Sequence, residues 1–384
     1  MTDDTPSLSP EELYDTLARG DPVHLLDVRN RDEFEAWRIA GETVTATQVP
    51  YSEFAAAKAR GEIDEFAADL DLDSPVIAVC PRGEVSATVA DHLRAAGIDA
   101  RNLAGGMHGW ARVYVASQLP AASADATVVQ YDRPASGCLS YLVVSGGAAA
   151  VVDPLRAFAD RYVADAEARG AAVTHAVDTH VHADHLSGVR TLAERDGVEA
   201  VLPAGARDRG LAFDARLLAE GDELRFGDAT LTALHAPGHT TELTALRLGD
   251  AIFTGDALFL DGFGRPDLER GADGAADLAE SLYDTLRDRL FALPDETVVA
   301  PGHRSPDAPV DSGEAHAAAL STVRERISLA ADREAFVSRV TDSLPPRPAN
   351  YERIIPANLG TERVDDEAAF ELELGPNNCA VTPD

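Results

Sequence analysis

The stretch Thr179-His180-Val181-His182-Ala183-Asp184-His185 constrains this chain more than any other. It follows the apolar residues 173–177, which read as a buried strand, and precedes residues 187–194, which read as a short helix. Three histidines and an aspartate therefore crowd one strand-to-helix loop. In extended backbone, side chains two apart point the same way, so His180 and His182 are expected to face together, with Asp184 and His185 coming round as the chain turns. Imidazoles with a carboxylate are ligands for zinc, iron or manganese. One histidine in such a loop would read as a local hydrogen-bonding group. Four ligand-type residues in six positions after a buried strand read as a metal site.

Three further residues extend the pattern. His239 lies in Ala236-Pro237-Gly238-His239-Thr240, Asp256 in Phe253-Thr254-Gly255-Asp256, and His303 in Ala300-Pro301-Gly302-His303. Each follows an apolar strand-like run (229–234, 251–253 and 297–300), and each has glycine immediately before it, where the backbone can turn sharply. A sheet that delivers one ligand from the end of each of several strands makes one rigid site. Residue by residue, this pattern resembles the metallo-β-lactamase superfamily. That resemblance implies an αβ/βα sandwich, two sheets with helices outside, over residues 127–384.

The first half has a different rhythm. Ser9-Pro10-Glu11-Glu12 opens a helix, with a capping serine and acids at the positive end of the dipole. Residues 23–28, 75–79 and 101–103 read as strands. Residues 32–37, 51–60 and 85–95 read as helices, the last stopping at Gly97. This alternation indicates a parallel α/β sheet with helices on both sides. Cys80 ends the second strand and opens Cys80-Pro81-Arg82-Gly83-Glu84-Val85-Ser86. A cysteine just ahead of a helix sits among backbone N–H donors that stabilise a thiolate or persulfide. Together with Asp27-Val28-Arg29, Glu33-Phe34, Gly105-Gly106 and Trp110, this loop resembles a rhodanese, or sulfurtransferase, domain over residues 1–117. The resemblance implies that Cys80 carries sulfane sulfur. Arg82 suits an anionic donor, but Glu84 puts an acid where thiosulfate would want a base.

Residues 118–126 are small, polar and proline-containing, and read as an interdomain linker. Beyond them, residues 127–131, 139–144 and 148–152 read as successive strands and 156–169 as a helix. Residues 199–202, 222–226, 230–235, 242–248 and 251–254 read as the second sheet, and 276–293 and 314–329 as helices. Cys138 reads as packing and Cys379 as an incidental terminal thiol.

Two chemistries fit the ligand pattern. A two-metal hydrolase of glyoxalase-II type would hold one zinc through His180, His182 and His239. A second would sit on Asp184, His185 and His303, with Asp256 bridging. A single-iron oxygenase would use His180, His239 and Asp256 as a facial triad with open positions. His182, Asp184, His185 and His303 would then orient ligands and water. After Asp256 the chain runs Gly262-Phe263-Gly264-Arg265-Pro266-Asp267, which resembles the persulfide dioxygenase branch of the superfamily. In that branch one Fe(II) and O2 convert a thiol persulfide to thiol and sulfite. Arg265 would hold Asp267 and shape the site, or bind an anionic substrate. The fusion points the same way, because tethering places a sulfane-sulfur carrier near its consumer. The whole chain thus resembles a rhodanese–persulfide dioxygenase fusion, with a low-molecular-weight thiol persulfide, O2, sulfite and thiosulfate as partners and a homodimer as a possible assembly. A third reading makes the rhodanese unit a regulatory module with a dead loop.

Charge bears on compartment and partners. The 384 residues carry 66 acids against 33 basic residues, a net charge of -33, and Lys58 is the only lysine. Acid spread along the chain suggests a surface adapted to high salt and argues against nucleic acid or anionic membrane as partners. Three widely separated cysteines and the start Met1-Thr2-Asp3-Asp4 lead to the expectation of free thiols in a reducing cytoplasm, with no membrane span.

Overall fold

The computed structural model describes residues 6–70, 72, 75–120, 123, 125–304, 314–327, 329, 332–342 and 344–381. They form two compact units that divide near residue 115, with Arg133–Ser136 counted in the first.

The first unit is a five-stranded sheet in the order Ser7–Leu8, Ala100–Leu103, Val76–Val79, Val23–Asp27, Val44–Gln48. Every pairing is parallel. Val23–Asp27 and Val76–Val79 are buried at every residue, as central parallel strands covered on both faces must be. Leu26, Val28, Phe54, Ala78, Val89 and Leu93 form the core around them. The helix Pro10–Ala18 starts with a full capping box. Glu12 N–H donates to Ser9 Oγ at 3.1 Å, and Ser9 N–H donates to Glu12 Oε2 at 2.8 Å. The rhodanese-type arrangement expected from sequence is present, with additional strands at Ser7–Leu8 and Val44–Gln48 and additional helices at Ile63–Ala68 and Gly106–Trp110.

The second unit pairs a seven-stranded sheet with a six-stranded one. The first runs Arg216–Leu218, Glu199–Pro203, Ala172–Val177, Ala148–Val152, Cys138–Ser145, Thr127–Arg133, Val115–Leu119. The second runs Glu223–Phe226, Ala229–His235, Thr244–Leu248, Ala251–Gly255, Val298–Pro301, Ala318–Ala319. Leu139, Tyr141, Val143 and Val201 of one sheet meet Leu224, Leu231, Leu246 and Phe253 of the other in a common core. Burying each such side chain stabilises the sandwich by roughly 1.5–3 kcal/mol. On the outer face of the second sheet, Ala279, Leu282 and Leu286 from the helix Gly271–Asp284 and its π-helical continuation Thr285–Leu290 cover Ala245, Ile252 and Val299. This is the αβ/βα sandwich.

Three local expectations are corrected. Residues 199–202 belong to the first sheet, where Glu199–Pro203 lies parallel to Ala172–Val177. Val115–Leu119 is a strand at the edge of that sheet, so the segment 118–126 is not linker throughout; Ala121, Ala122 and Ala124 lie outside the described residues. Among the described residues of 314–329, only Leu320–Arg326 is helical, because Ala318–Ala319 pairs antiparallel with Val298–Val299. No helix among the described residues is long and apolar enough to cross a membrane.

Candidate functional site

The seven candidate ligands gather at one end of the sandwich unit, all nearly inaccessible to solvent. His180 leaves the loop after Ala172–Val177, His239 the loop after Ala229–His235, and Asp256 the end of Ala251–Gly255. Gly255 makes the last turn possible. Its φ is +49°, and a Cβ there would lie 2.4 Å from Thr179 Oγ1.

Three atoms converge. Asp256 Oδ2 lies 3.9 Å from His180 Nε2 and 3.6 Å from His239 Nε2. All three are buried and lack a hydrogen-bond partner. Buried polar atoms are almost always satisfied, so three orphans facing one another mark the place of a cation. The opposite atom of each side chain is fixed. His180 Nδ1 lies 2.9 Å from Thr179 Oγ1, and His239 Nδ1 donates to the Arg265 carbonyl at 2.8 Å. Asp256 Oδ1 accepts from His303 Nδ1 at 2.6 Å. Burial pushes both His180 and His239 below the ordinary imidazole range and keeps them neutral. Burial alone would raise Asp256, but the neighbouring His303 charge overrides it and holds the carboxyl low. Two neutral imidazoles and a carboxylate are a fitting donor set for Fe(II) or Zn(II).

The other candidates are placed differently. His182 does not join His180, although their rings lie 4.2 Å apart. Its Nε2 turns to Asp153 Oδ1 at 3.2 Å and Asp178 Oδ1 at 3.6 Å. The two rings face one another as expected, but because the backbone leaves extended geometry after Val177 the His182 Nε2 is drawn to Asp153 and Asp178 and its Nδ1 has no partner. Asp184 Oδ2 lies 2.8 Å from His303 Nε2, 3.2 Å from His185 Nδ1 and 3.2 Å from the Cys138 thiol. Both ring nitrogens of His303 are thus engaged by carboxylates. Burial opposes charge on His303, but Asp256 and Asp184 raise it well above the ordinary range.

Sequence reasoning missed several members. Cys138 is not mere packing, since its thiol meets Asp184. Cys379 is not incidental, since it is fully buried with its sulfur in a cluster with Asp256 and His303. Asp153 holds the loop by accepting from Thr179 N–H at 2.7 Å, Thr179 Oγ1 at 2.9 Å and His182. Its φ of +50° is the strained position before Pro154. The Asp-Pro pair ending an apolar strand was the available signal. Asn358, far along the chain, donates to the carbonyls of His182 and His185 at 3.0 and 2.8 Å, and no local pattern announces that contact.

Arg265 is a hub within the protein. It is 1% exposed and pairs with Asp267 at 2.7 Å. It also donates to the carbonyls of Pro346 and Asn378, while its own N–H bonds the Cys379 carbonyl. Asp267 also binds Arg347.

In the first unit Cys80 follows Val76–Val79 and is 2% exposed. Gly83 N–H and Ser86 Oγ each lie 3.1 Å from its sulfur. Gly106, at φ +56°, closes the loop from behind, where a Cβ would come within 2.0 Å of the Cys80 carbonyl. Arg82 on the loop and Glu84 at the first position of the helix Glu84–Ala95 are both exposed.

Residues 9–113 match the rhodanese-like domain, and residues 133–303 match the metallo-beta-lactamase superfamily. The chain is 31% identical over 255 residues to the persulfide dioxygenase ETHE1, mitochondrial, of Mus musculus, across 63% of this chain and 91% of that protein. The chain belongs to the persulfide dioxygenase family of the metallo-beta-lactamase superfamily. Among solved structures, ETHE1 from Myxococcus xanthus matches this family member with a TM-score of 0.52 and 30% identity, over 65% of this chain and 100% of that one. A hydroxyacylglutathione hydrolase of Rhodospirillum rubrum is 37% identical over a shorter stretch, 41% of this chain and 57% of that protein.

Proposed function

We propose that this protein oxidises a low-molecular-weight thiol persulfide with O2 and water to the thiol and sulfite, at one Fe(II) held by His180, His239 and Asp256. The carrying observation is the convergence of three orphaned atoms, His180 Nε2, His239 Nε2 and Asp256 Oδ2. Of the remaining candidates, His182 Nδ1, Asp184 Oδ1 and His185 Nε2 are also without a partner, but both ring nitrogens of His303 are engaged by carboxylates and the His182 Nε2 is turned to Asp153 and Asp178, so a second ion would lack the His303 ligand. That favours the single-metal reading over the dinuclear zinc hydrolase. Bound iron would supply the activation of O2 for transfer of both oxygens to the outer sulfur.

The chain's own residues prepare that chemistry. Thr179 and the Arg265 carbonyl fix the tautomer and orientation of the two imidazoles. His303 holds the far oxygen of Asp256, so that Asp256 Oδ2 alone faces the two histidines. Arg265 and Asp267 position the site rather than bind substrate, since Arg265 is spent on internal partners. In the rhodanese-like unit, Cys80 would take up and pass on sulfane sulfur, and Arg82 and Glu84 at the rim would meet the donor.

Asp256→Ala tests the triad. Iron content should fall from about one per chain to near zero, and oxygen uptake with persulfide should fall with it. Retained iron with full uptake would remove Asp256 from the site.

A further inference from the structure

The Cys80 sulfur is reached by a chain of polar groups that continues past Ser86. Ser86 Oγ lies 3.1 Å from Cys80 Sγ and 2.7 Å from Asn102 Oδ1. Ser86 is fully buried and Asn102 is 6% exposed. Asn102 sits on the strand Ala100–Leu103, with its backbone N–H bound to the Pro6 carbonyl and its pairing set against Ala78, so its side chain is aimed by the sheet.

A hydroxyl has one proton, so Ser86 can donate to only one of its two neighbours at a time. With a neutral thiol, the chain runs from Cys80 S–H to Ser86 Oγ, and from Ser86 O–H to Asn102 Oδ1. With an anionic sulfur, Ser86 must turn its proton to Cys80, and its lone pair then needs a donor. An asparagine that rotates its amide half a turn presents Nδ2–H in place of Oδ1 and supplies one.

We propose that Asn102 is a positioning residue that lets Ser86 serve both charge states of the Cys80 sulfur, the neutral thiol and the thiolate or persulfide anion. This rests on the reading of Cys80 as the sulfur carrier. To reach the thiolate only the S–H bond breaks, and its proton leaves to water; to reach the persulfide the thiolate attacks the outer sulfur of a persulfide or thiosulfate donor, the new S–S bond forming as the donor's S–S bond breaks and the donor leaves as a thiolate or sulfite. The anion then accepts from Gly83 N–H and Ser86 O–H at the head of the helix Glu84–Ala95. Leucine, valine or alanine at position 102 would leave Ser86 without an acceptor in the first state or a donor in the second. The other ionisable groups on the surrounding elements are Asp27 and Arg29, which pair with each other at 2.6 Å, His24 and Arg101 on the strands, Arg82 on the loop, Glu84, Asp91, His92 and Arg94 along the helix, and His108 beyond Gly106.

The test is the pH profile of Cys80 alkylation by iodoacetamide in the full-length protein, followed by peptide mass spectrometry. Asn102→Asp accepts but cannot donate, so it should pin the Ser86 proton away from sulfur. The profile should move to higher pH and the rate at neutral pH should drop about tenfold, one pKa unit. Ser86→Ala should move it the same way, and Ser86→Thr should restore the native profile. The double variant should move it no further than Ser86→Ala alone, because the effect passes through Ser86. Additive shifts would mean that the new charge acts through space, and an unmoved profile in Asn102→Asp would remove the relay; either overturns the proposal. In the unmodified protein, the Asn102 side-chain amide resonances should titrate with Cys80, and resonances that stay fixed through that titration would also overturn it. Failure of Cys80 to accept labile sulfur, with these pH shifts intact, would instead defeat the sulfurtransferase reading.

Discussion

The metal centre and the Cys80 loop present their reactive atoms by opposite means. At the metal centre the reactive atoms are side chains, and other side chains aim them. Thr179 fixes His180, His303 fixes Asp256, and Asp153 fixes both Thr179 and His182. Support arrives from more than a hundred residues away, through Asn358 on the His182 and His185 carbonyls and Glu373 on Leu186 N–H. At Cys80 the work falls to one local turn, where the Gly83 N–H and the Ser86 hydroxyl each lie 3.1 Å from the sulfur and Gly83, Gly105 and Gly106 pack too closely for a Cβ. A side-chain-built centre is sensitive to distant substitutions that leave every ligand in place. A loop built from one local turn is sensitive mainly to its own residues, to the glycines packed on it and to the nearby Asn102 that meets Ser86.

The comparison can be broken by four substitutions. The largest expected effect is the loss of iron in Asp256→Ala described above. Next, Cys80→Ser should abolish release of labile sulfur to an acceptor and leave oxygen uptake with added persulfide unchanged, because the side chains described at the metal centre all belong to the second unit. Loss of both activities, measured side by side, would mean that the two chemistries are not separable. Arg265→Ala should then show how far the side-chain-built centre reaches. It removes a buried guanidinium, though Asp267 keeps Arg347. The expected loss is about 3 kcal/mol of stability in denaturant titration, with reduced iron retention, because the carbonyl that aims His239 belongs to the same residue. A variant as stable and as iron-replete as the parent would contradict the hub role.

The smallest effect concerns pH. Burial, helped by Arg304 and Arg326, pushes His316 of the sandwich unit down to about 4. Its folded value lies below its unfolded value of roughly 6.5, so the unfolded chain binds a proton first as pH falls. The contribution is therefore complete above pH ~6.5 and is lost progressively toward pH ~4. His316→Gln should flatten the acid limb of the stability curve by on the order of 1–2 kcal/mol, read from denaturation midpoints between those limits. An unchanged acid limb would place the lability elsewhere.

Much of this was legible in the sequence, for a physical reason. Candidate ligands at the ends of apolar strands leave a mark there: His239 and Asp256 each come directly after glycine, and His180 opens the H-x-H-x-D-H run that follows residues 173–177. The Cys80 loop was equally visible, because a thiol between a strand and a helix start is a local arrangement. What escaped was tertiary. The turn of His182 toward Asp153 and Asp178 depends on a backbone that leaves extended geometry after Val177. Cys138 and Cys379 looked inert because a single cysteine carries no periodic signal, yet Cys138 contacts Asp184 and Cys379 lies in the cluster with Asp256 and His303. The edge strand Val44–Gln48 was missed because an alternating, threonine-rich run that is only partly buried has no apolar stretch. Residues 199–202 were assigned to the wrong sheet because strand order is set by crossovers, not by composition.

The central claim is that His180, His239 and Asp256 hold one iron that oxidises persulfide. The direct measurement is oxygen consumption by anaerobically iron-loaded full-length protein given a small thiol persulfide in high salt, with sulfite assayed in the same sample. One sulfite should form for each O2 consumed, at one iron per chain. Folded, iron-loaded protein that consumes no oxygen, but cleaves thioesters once it holds two zinc ions per chain, would contradict the claim.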